Sequence, residues 1–575
     1  MRIIRPISEL ALLRFLALLL LPGIPLRAEV PADHLFIGRH IISMEASAEP
    51  PGKSVAETRS TALAVRGEKI VWLGSEAEAD GWIGPDTLVH QLGERALLPG
   101  FIDAHGHLTF LAATASWANL ASPPVGPVTD ISSLQLQLKG YIQANQIPAG
   151  DWVIGSGYDD SLLAEQRHPD RRDLDAVSSH HPIALIHVSG HLLAANSLAL
   201  AEVGYDAETA DPAGGHLRRY PDSSEPNGVL EETATYPLRA RLLEPRGNPL
   251  DDLATGLEEY AAYGVTTVQD GAISGPAISL LQAAAAGGQL NLDVVIYPVV
   301  GSADLSAFSA TPWGRYQDRL KFGGIKMVLD GSPQGKTAYL SQPYHLPPPG
   351  QTADYHGYPI HPDERVDAMV AAFLAAGIPI LAHANGDAAA DQLIHAIGRA
   401  DSSADHRTVM IHAQTVREDQ LDAMRELGMV PSFFSAHTFF WGDWHRNSVL
   451  GPDRGARISP TRSTLDRGMP FTVHNDAPIV PPDMVRLLWA TVNRLTRSGV
   501  VLGPEQRIAT RQALAAMTRH AAYQYFEEDR KGTLRAGKQA DLVILSRNPL
   551  EMATTDLLSL EVMETWSRGA QVFQR

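Results

Sequence analysis

The sequence predicts an α/β protein: a (β/α)8 TIM-like barrel, a small β-sandwich domain assembled from both termini, and a large insertion after the first barrel strand. Three observations support this. Eight short apolar runs between Phe101 and His474 read as strands, and alanine-rich helical stretches separate most of them. Two segments of β texture flank that long middle. The first and second apolar runs are far apart in the chain, ending at His105 and beginning at Gly264. Repeated strand–helix units of this number point to a barrel. A doubly wound sheet is the competing architecture, which periodicity alone does not reject.

Taken in order, residues 1–28 read as a secretory signal peptide. Arg2, Arg5 and Arg14 precede an apolar run from Phe15 to Leu21, and Ala28 supplies a small residue at the cleavage point. The run is too short to span a bilayer. The expectation is an exported protein, periplasmic or secreted, with no stable membrane span after signal removal; an uncleaved anchor is the alternative. Residues 29–98 plus 530–575 form the small domain, with a hairpin at Ala62–Gly74 around Arg66-Gly67-Glu68. The C-terminal share reads as Gly532-Thr533-Leu534, Gly537 to Leu545 and Gln571-Val572-Phe573. Residues 99–529 form the barrel domain, with the insertion at about 110–260 covering its mouth. Its later strands read as Gly264–Asp270, Asn291–Tyr297, Phe322–Leu329, Ile378–His383, Arg407–His412, Met429–Phe433 and Met469–His474. Val366 to Ala376 and Asp387 to Gly398 read as two of the intervening helices.

Composition narrows the chemistry. A length of 575 residues permits a large core and more than one domain. The net charge of −18, with no basic tract to offset it, argues against a nucleic-acid partner. Zero cysteine excludes disulfides, thiolate ligands and a cysteine nucleophile, so any metal must be held by nitrogen and oxygen.

The sharpest local signal is His105-Gly106-His107, at the end of the run that begins at Leu97. In a strand, residues i and i+2 share a face, so both imidazoles can meet at one point. With 22 histidines in the chain, one such pair also arises by coincidence. The positions of the other polar residues change that balance. His383 and His412 end later runs, Asp476 follows the last, and Lys326 lies within another. In a barrel such strand ends converge above the axis, and four histidines with a carboxylate there make a nitrogen/oxygen metal site, zinc being the first expectation. Taken singly, each of these residues is as well explained by a helix cap or a satisfied core polar group.

The arrangement resembles the amidohydrolase superfamily, in its third amidohydrolase domain family (YtcJ-like), the branch that includes N-substituted formamide deformylases. The resemblance runs through Pro99–His107, Gly155-Ser156-Gly157-Tyr158-Asp159, Asp173–Ser178, Gly190-His191, Asn196-Ser197, Gly214-Gly215 and Gly228–Glu232. It continues through Lys326, Asp330-Gly331-Ser332, Thr337-Ala338, His383–Asp387, His412-Ala413-Gln414, Asn475–Pro478 and Gly537–Val543. It implies that His105, His107 and Asp476 hold one divalent metal, while His383 and His412 hold a second or orient substrate. It implies that Lys326 is N-carboxylated and bridges two ions; a plain lysine beside one ion stays open. His187 and Lys336 stand where the family often has arginine, and Asn475 where it has serine. The first two bear on substrate specificity.

The implied reaction is hydrolysis of a non-peptide C–N bond (amide, N-acyl or N-formyl) in a small molecule by metal-activated water, with Asp476 as the catalytic proton carrier. His191, Glu232, Asp330 and His437 are candidate substrate contacts. Tyr158, Phe439, Trp441 and Trp444 lie in loops near the mouth, as apolar pocket or as packing. The same site suits ester or lactone hydrolysis or decarboxylation, and a non-catalytic metal- or ligand-binding protein is the alternative class. Asp476 with Lys326 favours the enzyme. A homodimer is left open.

Overall fold

The computed structural model describes residues 30–45, 60–244, 247–299, 308, 311–400 and 404–575. The signal-peptide reading of residues 1–28 lies outside them. Among the described residues no helix is long and apolar enough to cross a membrane.

Two four-stranded sheets are built from the ends of the chain. One orders Lys69–Gly74, Ala62–Arg66, His34–Gly38 and Leu88–Gly93. Its hairpin pairs Arg66 with Lys69 and turns through Gly67 at φ 53°, backbone that glycine adopts without a Cβ clash. The other orders Ala570–Gln574, Val562–Ser567, Leu542–Leu545 and Ala96–Pro99. Phe36, Leu63, Leu97, Leu542, Ile544 and Trp566 bury together, so both ends of the chain share one core. Gly532-Thr533-Leu534 forms no strand of its own, and the Leu534 amide bonds the Ser43 carbonyl at 2.8 Å. The apolar run Leu97–Ile102 is divided between two sheets. Its first half pairs with Leu542–Leu545, and its second half, Phe101–Ile102, pairs with Val265–Ile273.

The middle of the chain forms two parallel sets. Phe101–Ile102, Val265–Ile273, Asp293–Pro298 and Leu320–Phe322 lie side by side in that order. Ile325–Val328, Ile380–Ala384, Val409–His412, Val430–Phe433 and Thr472–Val473 make the second set, also in chain order. A parallel bridge between Val299 and Lys326 joins the sets on one side. On the other side the Asp476 amide donates to the His105 carbonyl at 3.1 Å, and the His107 amide to Ala477 at 2.8 Å. Helices pack outside through apolar stripes. Asp363–Ala375 buries Val366, Met369, Val370 and Phe373, the i, i+3, i+4, i+7 pattern of one helical face. Each such side chain, fully buried, stabilises the fold by roughly 1.5–3 kcal/mol.

The insertion is itself an ordered layer. Its six-stranded sheet orders Gly215–Arg219, Pro226–Glu232, Leu192–Ala195, Ile183–His187, Val153–Tyr158 and Ala118–Asn119, the last three parallel. The helix Ile131–Ala144, capped by the Asp130 carboxylate on the Ser133 amide, packs Leu134 and Leu138 against Val153 and Leu185. The sheet matters because the strand Pro226–Glu232 ends at the site.

Candidate metal centre

His105 and His107 do converge, but not through strand alternation. The strand ends at Ile102, and His107 begins the helix Leu108–Thr114. A turn through Gly106 brings the rings together; a Cβ there would overlap the Asp103 carboxylate and the Tyr260 hydroxyl. His107 Nε2 lies 3.1 Å and His105 Nε2 3.3 Å from Asp476 Oδ1. One ligand atom from each of the three residues fits within 4.8 Å of the others. Lys326 Nζ lies 3.0 Å from His105 Nε2, fully within the protein. His412 Nε2 faces His383 Nδ1 at 3.0 Å, and His412 Nδ1 lies 3.9 Å from Asp476 Oδ2. The structure therefore gathers His105, His107, Lys326, His383, His412 and Asp476 at the ends of the parallel strands.

Hydrogen bonds around the rings set which nitrogens are free. Gln269 donates its amide to the Ala104 carbonyl and the Tyr525 hydroxyl, so its Oε1, 2.5 Å from His105 Nδ1, accepts from that ring. His105 Nε2 thereby presents a lone pair toward Asp476 and Lys326. His383 Nε2 faces the Gly331 carbonyl at 3.0 Å and Asp330 Oδ1 at 3.4 Å, both acceptors, which leaves the Nδ1 lone pair toward His412. Burial, followed by the neighbouring Lys326, holds His105 well below the ordinary imidazole range. Burial does the same to His412, with His383 adding to it. These rings are neutral, the form that ligates metal. Burial would raise the Asp476 carboxyl, yet His105 and His107 outweigh it and hold it far below its ordinary value. Burial brings Lys326 down to about 7, against the pull of Asp476.

This donor set fits a divalent cation. Asp476 Oδ1 is buried and has no hydrogen-bond partner, although two ring nitrogens lie within 3.3 Å. Two ring nitrogens facing a buried carboxylate oxygen need a positive charge between them, a proton or a cation, and imidazole with carboxylate suits zinc and its neighbours. His412 at φ 71° and Asp476 at φ 58° occupy left-handed backbone, as does Glu232 at φ 47°. Such conformations cost about 1–3 kcal/mol each and persist where surrounding structure imposes them.

The candidate substrate contacts separate into three situations. His191 Nδ1 meets Glu232 Oε2 at 2.7 Å, and its ring lies 4.8 Å from that of His383. Burial pulls His191 down, but Glu232 outweighs it and the imidazole is raised overall. Glu232 Oε1 is buried without a partner. Asp330 accepts from the backbone amides of Asn385, Gly386 and Tyr339 at 2.8–3.0 Å, so it organises the loop after His383. His437 bonds His445 at 2.9 Å and stacks on it, meeting Phe434 edge-on and Trp441 at a tilt.

Sequence reading missed Gln269, which orients His105, and did not assign His474, whose Nε2 lies 3.2 Å from His412 Nδ1. Their signal was available: each is a polar residue inside an apolar strand run. A cavity of about 360 Å³ opens beside the centre, walled by Phe110, Trp117, Tyr263, Phe440, Trp441 and Arg497 and by Pro478 and Ile479 next to Asp476. Of the mouth aromatics, Trp441 lines it, whereas Tyr158 is buried against His168, Phe439 packs on Trp489 and Trp444 bonds Gln334.

The family profile described as the amidohydrolase family matches residues 89–573. The N-substituted formamide deformylase of Arthrobacter pascens is 27% identical over 89% of this chain and 95% of its own. Amidohydrolase YtcJ of Bacillus subtilis (strain 168) is 24% identical over 85% of this chain and 91% of its own. In structure, an uncharacterized metal-dependent hydrolase from Pyrococcus furiosus superposes with a TM-score of 0.67 at 24% identity, over 90% of this chain and all of that one. On the match across most of its length, the chain belongs to the amidohydrolase family.

Proposed function

We propose that this protein is an exported, metal-dependent hydrolase of a non-peptide C–N bond (amide, N-acyl or N-formyl) in a small molecule. The observation that carries the reading is the meeting of His105 Nε2 and His107 Nε2 at an unpartnered, buried Asp476 Oδ1. The likeness to a formamide deformylase supports the bond type. All strands of the two parallel sets except Leu320–Phe322, which pairs beside Asp293–Pro298, form one (β/α)8 barrel. It continues from Asp293–Pro298 to Ile325–Val328 by the Val299–Lys326 bridge and closes where residues 105–107 bond 476–477, and the two terminal sheets form a small sandwich beside it.

His105, His107 and Asp476 would hold one divalent cation, zinc by donor type, with His383 and His412 at a second position. Such a cation polarises a carbonyl and lowers the pKa of water from about 16 to about 7. Asp476, beside that position, would take a proton from the attacking water. It then returns that proton to the leaving nitrogen, because an amide anion is a very poor leaving group. The products are a carboxylate and an amine. Lys326 near 7 is substantially a free amine at neutral pH, the form that adds CO₂ to give a carbamate and a proton. A carbamate offers two anionic oxygens where an ammonium would repel a dication. The cavity reached by Pro478 and Ile479, with Phe110, Trp117, Phe440 and Trp441 in its wall, would take the apolar part of an acyl or aryl substrate.

The test is metal content per chain by elemental mass spectrometry, wild type beside Lys326→Ala, followed by turnover of N-acyl and N-formyl amides. Loss of at least one ion in the variant supports the reading. Wild-type protein without metal, even after reconstitution, would make the histidines structural and end it.

A further inference from the structure

We propose that Asp160, His168 and His187 form a second site for a zinc-like divalent cation, within the insertion and separate from the centre at Asp476. Asp160 Oδ1 lies 2.9 Å from His187 Nε2, and Oδ2 lies 3.5 Å from His168 Nε2. One ligand atom from each residue fits within 4.8 Å of the others. His187 is the last residue of Ile183–His187 and pairs with Tyr158, the last residue of the parallel strand Val153–Tyr158. Asp160 follows two residues later. The cluster thus sits at the carboxyl ends of adjacent parallel strands, where open α/β sheets hold ligands.

The surroundings support each imidazole. His168 Nδ1 meets the Tyr158 hydroxyl at 3.2 Å, and His187 Nδ1 the Ser189 hydroxyl at 2.8 Å. In the free protein the Ser189 amide also leans on His187 Nδ1 at 3.2 Å, which places the ring proton on Nε2, facing Asp160. A cation would move that proton to Nδ1, where Ser189 Oγ accepts it and the longer contact from the Ser189 amide is given up, and the Nε2 lone pair would turn to the metal. Both rings are buried, whereas the Asp160 side chain keeps 15% exposure, which gives an ion a way in. Two cations oppose binding. Arg218 and Lys336 both act electrostatically on Asp160, although Arg218 is paired with Glu231 and Lys336 lies over the Trp444 ring. This site therefore binds more weakly than the one at Asp476 and empties first under a chelator. Its position gives it a task. Asp159, next in the chain, accepts from Trp441 Nε1 at 2.7 Å, and Trp441 walls the cavity. An ion joining Asp160 to both strand ends steadies that wall.

The experiment uses full-length protein saturated with zinc and dialysed against stepped chelator. Zinc per chain is counted for wild type, Asp160→Asn and His168→Gln. The expected result is one fewer ion in each variant, the missing ion being the first that wild type releases. Equal counts in folded variants would overturn the proposal and leave a hydrogen-bonded Asp–His–His cluster. Where circular dichroism shows that both variants misfold, protein disabled at both positions of the other centre by His107→Gln with His383→Gln and His412→Gln decides: one retained zinc supports the site, none refutes it. Failure here leaves the Lys326→Ala test of the main centre untouched, and the converse holds.

Discussion

His107 and Asp476 come from opposite ends of the parallel strand series, yet their side chains meet at 3.1 Å and the His107 amide bonds the residue after Asp476 at 2.8 Å. Backbone and side-chain contacts thus coincide where the first and last strand ends face each other. Asp476 is held by the same bonds that join those ends, so its position depends on the whole strand series.

Asp476→Asn keeps the volume and one ligating oxygen but removes the base. Turnover falls by about 10²–10⁴-fold while metal content, held by His105 and His107, stays within experimental error. Activity assays beside elemental analysis check this. If metal and activity disappear together, Asp476 is a ligand without a proton-carrying role.

Gly386→Ala tests the loop that places His383. A Cβ at Gly386 would overlap the Tyr339 carbonyl, which is backbone and has little room to move. The variant is expected to lose about 1–3 kcal/mol in chemical denaturation, together with most activity. A variant as stable and active as wild type would show that the loop shifts freely.

Metal removal should destabilise the protein. An ion bound only by the folded state at about 100 times its Kd contributes about 2.7 kcal/mol. Chelated protein therefore melts at a lower temperature in calorimetry, and zinc restores it. Identical melting of chelated and zinc-loaded samples contradicts a preformed site.

A buried ionic network makes a pH-dependent contribution. Lys531 Nζ lies 2.6 Å from Asp293 and 2.9 Å from Glu527, which also holds Lys321. Burial would lower Lys531, but Asp293 and Glu527 raise it above 10.5; burial would raise Glu527, but Lys531 and Lys321 bring it below 4.5. The lysine's share of stability is therefore present below pH 10.5 and lost as pH rises through its folded value. The glutamate's share is present above pH 4.5 and lost as pH falls through its folded value. Lys531→Met, which removes the cation shared by Asp293 and Glu527 while Arg568 and Lys321 stay beside them, costs about 1.5–3 kcal/mol near neutrality. The difference from wild type should narrow outside that window, as urea titrations at several pH values would show.

The sequence by itself determined the strand–helix alternation and singled out the polar residues at the ends of apolar runs that the structure brings together. Apolar runs ending in His105, His383 and His412 carry that information because burial and metal ligation impose opposite residue types at fixed places along a strand. Only the tertiary structure decided how those residues act. It set the ring orientation of His105 through Gln269, brought His474 against His412, and turned Asp330 onto backbone amides. It delivered Glu232 to His191 from a separate six-stranded sheet, and it brought His168, from a loop, against Asp160 and His187 beside adjoining strand ends. Local periodicity reports which face of an element is buried. Which ring nitrogen keeps its lone pair depends on a hydrogen-bond partner elsewhere in the chain, and no local pattern encodes that partner.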